Sequence, residues 1–470
     1  MAHQTVAVAD EQYVFKPETR SKFFILLVVG IVSLALGIFL NLNGPAAHHE
    51  GGGHHENVAQ EATEGHGEHH AAAVHEEAGA EHHGAEAHAK HEGGHHETTY
   101  WLKRVYTSLW MNNIYFIGLG LIGLFFVAIQ FAAEAGWSAG VLRVPLSMGS
   151  WIPVAGILTL VLWFVTKETI FHWAHADVYD KASAGYDRII AGKAPFFFWP
   201  LNGGGFPLFF IIRMVLFFGM WYLFLIWIKR EMLAEDLDGD VKHWYKSRVL
   251  STVFLIFFGV SSSVAAWDWV MSIDTHWFST MYGWYVFASW WVTALAMITL
   301  IVAHLKSAGY LKIVNANHLH DLGKFVFAFS IFWTYIWFGQ FLLIYYANIP
   351  EEGVYFIERM RTAPYNWIFY TNLILNFVMP FLLFMTRDAK RHISTLKLIC
   401  PIVIIGHWFD FYNMVTPPVM QLEGGVGFIE IGIALIFFAA YFLVILGSLS
   451  KIPLIGKNNP MIGESLHHHI

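Results

Sequence analysis

Charge is scarce in this chain. Of 470 residues, only 13% are Asp, Glu, Lys or Arg, against a usual share of roughly 25%. Cysteine is nearly absent. Cys400 stands alone, which excludes internal disulfides, cysteine-ligated iron–sulfur clusters and a CxxCH haem attachment. Histidines at matching depth in apolar segments are also missing. His407 is the one histidine well inside such a segment, so a b-type haem held between helices is not expected. A phosphate-cradling loop is absent too: Gly203-Gly204-Gly205 precedes an apolar run without a following Lys-Ser/Thr. The net charge of -7 comes mostly from one loop and carries no sign of a nucleic-acid partner.

What the chain has is apolar surface. It is 56% hydrophobic and 17% aromatic, with a mean hydropathy of +0.48. Ten apolar runs reach spanning length, at roughly 23–42, 114–133, 147–166, 207–228, 249–271, 279–304, 322–347, 367–386, 395–415 and 428–448. The first is long enough to span rather than to serve as a cleaved signal. The expected fold class is an all-α polytopic membrane protein with about ten transmembrane helices. The layout is an N-terminal segment 1–22, helix 1 at 23–42, a loop 43–100, a transmembrane domain 101–450 and a tail 451–470.

Lys and Arg set the orientation. With a cytoplasmic N-terminus, the inner segments hold eighteen of them and the outer segments nine. Both termini are therefore expected in the cytoplasm. The outer loop between helices 1 and 2 holds fourteen histidines between His48 and His96 and no aromatic residue. It reads as a disordered, solvated linker, or as a metal-scavenging or pH-responsive tract. His467, His468 and His469 resemble a tag and receive no role.

Polar residues in the apolar runs gather towards the outer side, where intramembrane ionisable groups are costly and commonly functional. Glu168, His172 and His175 share a helical face at the end of helix 3. Asp268 ends helix 5, with Asp274 and His276 at the turn after it. His407, Asp410 and Asn413 lie on one face of helix 9, and Glu430 opens helix 10. Arg213, about two turns into helix 4, is a natural partner for one of these carboxylates. On the inner side, His320, Asp321 and Lys324 lead into helix 7, followed by Tyr335. The expectation is two half-channels for protons. The inner one uses His320, Asp321, Lys324 and Tyr335. The outer one uses Arg213, Asp268, His407, Asp410 and Glu430, with Asp274 and His276 at its exit. Glu168 and His172 are secondary candidates. Each of these residues also has a structural reading as a cap, a counter-ion or an interhelix hydrogen bond.

One stretch is unusual for a membrane boundary: Trp267-Asp268-Trp269-Val270-Met271-Ser272-Ile273-Asp274, followed by Trp277-Phe278-Ser279-Thr280 and Tyr285-Val286-Phe287-Ala288. With Gly406-His407-Trp408-Phe409-Asp410, it resembles the NrfD-like integral membrane subunits of bacterial alternative complex III, a quinol:cytochrome c oxidoreductase. The resemblance covers roughly 100–450 and is closer to the ActF-type subunit than to its quinone-binding sister. It implies two four-helix bundles, helices 2–5 and 6–9, flanked by helices 1 and 10. It implies no cofactor in this chain, which would not be catalytic alone. Quinol, with menaquinone expected, would be oxidised at the sister subunit beside an iron–sulfur subunit. Electrons would pass to haem c in multi-haem and mono-haem cytochrome c subunits, with a terminal oxidase as a further partner. The site would be the bacterial inner membrane. The His-rich loop departs from the family pattern. Three other readings stand beside this one: a quinone-binding subunit of the same complex, a non-catalytic membrane scaffold for peripheral electron carriers, and a metal transporter. The last lacks a His/Asp ladder within its spans.

Overall fold

A bilayer offers no water to the backbone, so a chain this apolar must satisfy its amides within helices. The computed structural model describes residues 11–43 and 99–469; the His-rich tract 48–96 lies outside them. Ten helical segments are long and apolar enough to cross a membrane. They are α1 (Pro17–Leu42), α2 (Tyr100–Ala132), α3 (Arg143–Ile170), α4 (Leu208–Asp238), α5 (Val241–Ile273), α6 (Tyr282–Ser307), α7 (Ala316–Ala347), α8 (Tyr365–Leu383), α9 (Ile393–Glu423) and α10 (Phe428–Leu449). Among the described residues there is no strand beyond a single bridge between Gln12 and Pro453.

The packing closes two rings. In the first, α2, α3, α4 and α5 each contact the next, and α5 returns to α2. In the second, α6 to α9 do the same, and α9 returns to α6. The rings meet where α2 touches α6 and α9, and where α5 touches α6. α10 lies on α2 and α3, and α1 lies on α10. Two bundles with two flanking helices are thus present.

Small residues set the close crossings, as helix association in lipid requires. A Cβ on Gly30 of α1 would stand 2.8 Å from the carbonyl oxygen of Gly432 on α10. A Cβ on Gly118 of α2 would collide with the Trp290 indole of α6. The tight α4–α5 turn uses Gly239 at φ 68°, and Asp240 then caps α5 by accepting from the Lys242 amide at 2.9 Å.

The helices outrun the apolar windows. α2 begins at Tyr100 rather than near 114, and α4 continues to Asp238 rather than 228. The extra turns are polar but paired. Arg104 at the start of α2 meets Glu430 of α10, and Arg143 meets Asp236 at the end of α4. Two further helices, Arg188–Phe198 and Pro350–Arg361, lie in segments read from the sequence as loops. Both belong to one face of the bundle, the loop face, together with 270–281 and 421–427. The opposite face holds residues 11–16 and the tail after α10. There Leu454 donates its amide to the Glu11 carbonyl at 2.8 Å.

Candidate functional site: two buried carboxylate centres

Each bundle holds one fully buried aspartate. In the first, Asp268 sits one residue before the end of the regular α5 helix, with no solvent exposure. Arg213 of α4 grips it through two bonds, Nε to Oδ2 and Nη2 to Oδ1, both 2.7 Å. Such a fork-on-fork pair is the strongest arrangement available to these groups. The rings of Phe196 and Phe209 each lie 4.4 Å from the guanidinium carbon, which shields the pair. The Asp268 carbonyl also accepts from Ser272 Oγ at 2.5 Å.

The second centre is richer. Asp410 of α9 is fully buried, ten residues before the Met420 end of the regular helix and so about 15 Å in along the axis. Three donors converge on its carboxylate. Tyr285 of α6 donates its hydroxyl to Oδ1, Asn372 of α8 donates Nδ2 to Oδ1 at 2.8 Å, and Trp333 of α7 donates its indole N–H to Oδ2 at 2.9 Å. All four helices of the bundle therefore contribute. His407, one turn earlier, places Nδ1 3.8 Å from Oδ2 and 3.0 Å from Ser289 Oγ. Its Nε2 is buried with no partner among the described residues.

Local backbone geometry builds this hub. α8 widens into a π-turn at Ile374–Val378, which carries the buried Asn376. Asn376 donates to Asn372 Oδ1 at 2.5 Å, behind the bond from Asn372 to Asp410. Such wide turns favour functional sites.

From Asp410, hydroxyl groups lead to the loop face. Tyr285 and Tyr282 are one turn apart on α6 with ring centroids 5.8 Å apart. The Tyr282 ring meets Tyr355 of the Pro350–Arg361 helix edge-on, with ring centroids 6.3 Å apart. The Tyr355 ring stacks on Trp277 at 4.2 Å and faces the Arg359 guanidinium at 3.5 Å. Arg359 in turn donates Nε to the Asn413 carbonyl at 2.7 Å. Asp274 and Glu358 lie close enough to interact with Arg359, and burial raises the Glu358 carboxyl above its ordinary value.

The remaining candidates separate into other clusters. Glu430 faces Arg104 (Nε to Oε1, 2.9 Å; Nη2 to Oε2, 2.6 Å) and accepts the Gly427 amide, so it ties α10 to α2. The outer set is therefore three separate centres rather than one line. His276 meets Asp187 at 2.5 Å, and Asp187 also caps the Arg188–Phe198 helix. Burial alone would raise the Asp187 carboxyl. The Ile190 amide, the His276 ring and the Ile189 amide outweigh it and hold the carboxyl below its ordinary value. His172 and His175 lie with ring centroids 5.8 Å apart near the same surface, and the Glu168 side chain is exposed beside Lys167.

On the opposite face, Lys324 Nζ lies 2.5 Å from Asp321 Oδ1, and His320 is buried beside them. His468 of the tail occupies the other Asp321 oxygen at 2.6 Å, so one of the three terminal histidines left without a role packs into this cluster. Tyr335 does not join it. This residue is 71% exposed, because at position 335 the α7 surface faces outward.

Sequence reasoning missed Arg104, Tyr282, Tyr285, Ser289, Trp333, Tyr355, Asn372 and Asn376. A signal existed: Tyr285 and Ser289 on α6, and Asn372 and Asn376 on α8, repeat at i, i+4 within apolar helices.

Beside the first centre, Lys193, Phe196, Phe197, Trp267, Asp274 and Phe278 line a largely apolar pocket of about 460 Å³. Among the described residues, no group of three or more His, Cys, Asp or Glu side chains is placed to hold a metal ion.

Comparison with models of known protein families gives no match. Comparison with curated proteins gives none either.

Proposed function

We propose that this chain is an NrfD-like, ActF-type integral membrane subunit of a quinol:cytochrome c oxidoreductase of the alternative complex III kind. In this reading it carries no redox centre and offers a proton route coupled to quinol oxidation next door. Its neighbours are a quinone-binding sister subunit, an iron–sulfur subunit, multi-haem and mono-haem cytochrome c subunits, and a terminal oxidase. It lies in a bacterial inner membrane with both termini cytoplasmic, as its Lys and Arg distribution favours.

The observation that carries the proton reading is the Asp410 hub. A carboxylate fully inside a bundle, with a histidine and a tyrosine against it, is a costly arrangement for mere packing. Tyrosine hydroxyls both donate and accept, so Tyr285, Tyr282 and Tyr355 can relay a proton from Asp410 towards Asp274 and Glu358 at the loop face. His320, Asp321 and Lys324 collect protons on the opposite face. The relay does not use Tyr335, and Arg213–Asp268 serves as a fixed ion pair that sets the α4–α5 geometry.

Mild-detergent purification, with mass spectrometry and a haem spectrum, tests the assignment. Multi-haem cytochrome c and iron–sulfur subunits should co-purify, with quinol:cytochrome c activity. A chain that purifies alone, without haem and inactive with quinol, contradicts it.

One observation favours a second reading, in which this chain binds quinone itself. The aromatic pocket beside Trp267 and Phe278 has the size of a small-ligand site. Its flat rings suit a quinone head, and Lys193 and Asp274 supply polar groups at one wall. A quinone photo-label crosslinked to Trp267 or Phe278 would support it.

A further inference from the structure

A second cavity lies at the opposite face, away from both carboxylate centres. It has a volume of about 740 Å³ and opens between α1, α3, α4 and α10. Three cations line it: Arg20 from the first turn of α1, Lys229 from α4 and Lys451 just after α10. No carboxylate lines it, and among the described residues none of the three cations forms an ion pair. Polar groups continue the wall, with Ser150 donating to Ser448 Oγ at 2.6 Å and Ser450 beside them. Deeper in the bilayer direction the lining turns apolar, with Phe24, Leu443 and Val444. Gly447 borders open space, where a Cβ would meet nothing within 4 Å.

Cations left unpaired around a concavity repel one another and favour an anion there. The position matters as well. From Leu443 to its end at Leu449, α10 rises about 9 Å, which carries the wall from the membrane boundary into the acyl region. We propose that this cavity is a binding site for an anionic phospholipid. Its phosphate sits among Arg20, Lys229 and Lys451, and its acyl chains run along Phe24, Leu443 and Val444. Basic pockets between spans recognise headgroups by this chemistry. A free phosphate shares the headgroup chemistry but would leave the apolar half of the groove unused.

The test is native mass spectrometry of the full chain, with whatever subunits co-purify, after exchange into phosphatidylglycerol or phosphatidylcholine. The expected result is retention of phosphatidylglycerol over phosphatidylcholine, with affinity falling about fivefold per cation removed in the Arg20→Gln, Lys229→Gln, Lys451→Gln series. Lys242→Gln with Lys246→Gln, on the same face but outside the cavity, should leave retention unchanged. Millimolar inorganic phosphate should not displace the lipid. Equal retention of phosphatidylcholine, retention unaffected by the triple variant, or displacement by phosphate would each overturn the proposal. If the triple variant does not fold, Lys229→Gln alone decides it by the same fivefold criterion.

Discussion

Replacing Asp410 by Ala removes the acceptor for three donors from three other helices: Tyr285, Asn372 and Trp333. In water-soluble proteins an orphaned buried donor costs about 1–3 kcal/mol. Inside a bilayer the unfolded reference also finds partners, and interhelix bonds average about 0.6 and reach about 1.7 kcal/mol. The membrane figure governs here, so three lost bonds predict a destabilisation of about 2–5 kcal/mol for Asp410→Ala. Asp410→Asn keeps one acceptor oxygen and so retains part of the hub, with an expected cost of about 1–2 kcal/mol. Asp274→Asn, at the loop, should stay within about 0.5 kcal/mol of wild type. Unfolding by SDS in mixed micelles, followed by tryptophan fluorescence, measures all three. If Asp410→Ala unfolds within 0.5 kcal/mol of wild type, a margin of about the error of additivity, the convergence of donors on this carboxylate has been misread.

Other predictions follow from the remaining contacts. Arg213→Met strands the buried Asp268 and should cost about 3–5 kcal/mol, whereas Arg213→Met with Asp268→Leu should recover most of that loss in the same assay. Gly118→Ala drives a methyl into Trp290 where the two bundles meet; a loss of about 1–3 kcal/mol is expected, and a neutral variant would show that this crossing is loose. The depressed Asp187 carboxyl makes stability of the Arg188–Phe198 segment pH-dependent. Its contribution is fully present above the ordinary carboxylate value of 3.8 and is lost as pH falls through the lower folded value. Hydrogen exchange in that helix should therefore rise at acid pH in the wild type and be high, with a flatter pH response, in Asp187→Asn.

Much of the architecture was legible because lipid leaves the chain few options. Ten apolar runs became ten helices, since backbone amides in a bilayer have no other partner. The overrun of α2 and α4 was not legible, because Arg104 and Arg143 find carboxylates distant in sequence, Glu430 and Asp236. The carboxylates of both centres stood out as rare charges within spans. Their partners did not, because Tyr285, Trp333 and Asn372 are ordinary residues of an aromatic-rich membrane protein until three helices bring them to one oxygen pair. Arg213 with Asp268 was foreseeable from matching depth. Tyr335 shows the limit of depth alone: a hydroxyl at a suitable height on α7 faces out of the bundle, and only packing reveals which way the helix is turned. His468 shows the same limit at the tail, where a run of histidines without pattern places one ring on Asp321.

We propose that Asp410 passes protons while neighbouring subunits pass electrons. The most direct test is proton release per electron in liposomes holding the purified assembly, driven by quinol with cytochrome c as acceptor. Asp410→Asn and Tyr282→Phe should keep the haem spectrum and electron transfer but release fewer protons per electron than wild type. If both variants assemble and release as many protons per electron as wild type, this chain does not carry the proton route.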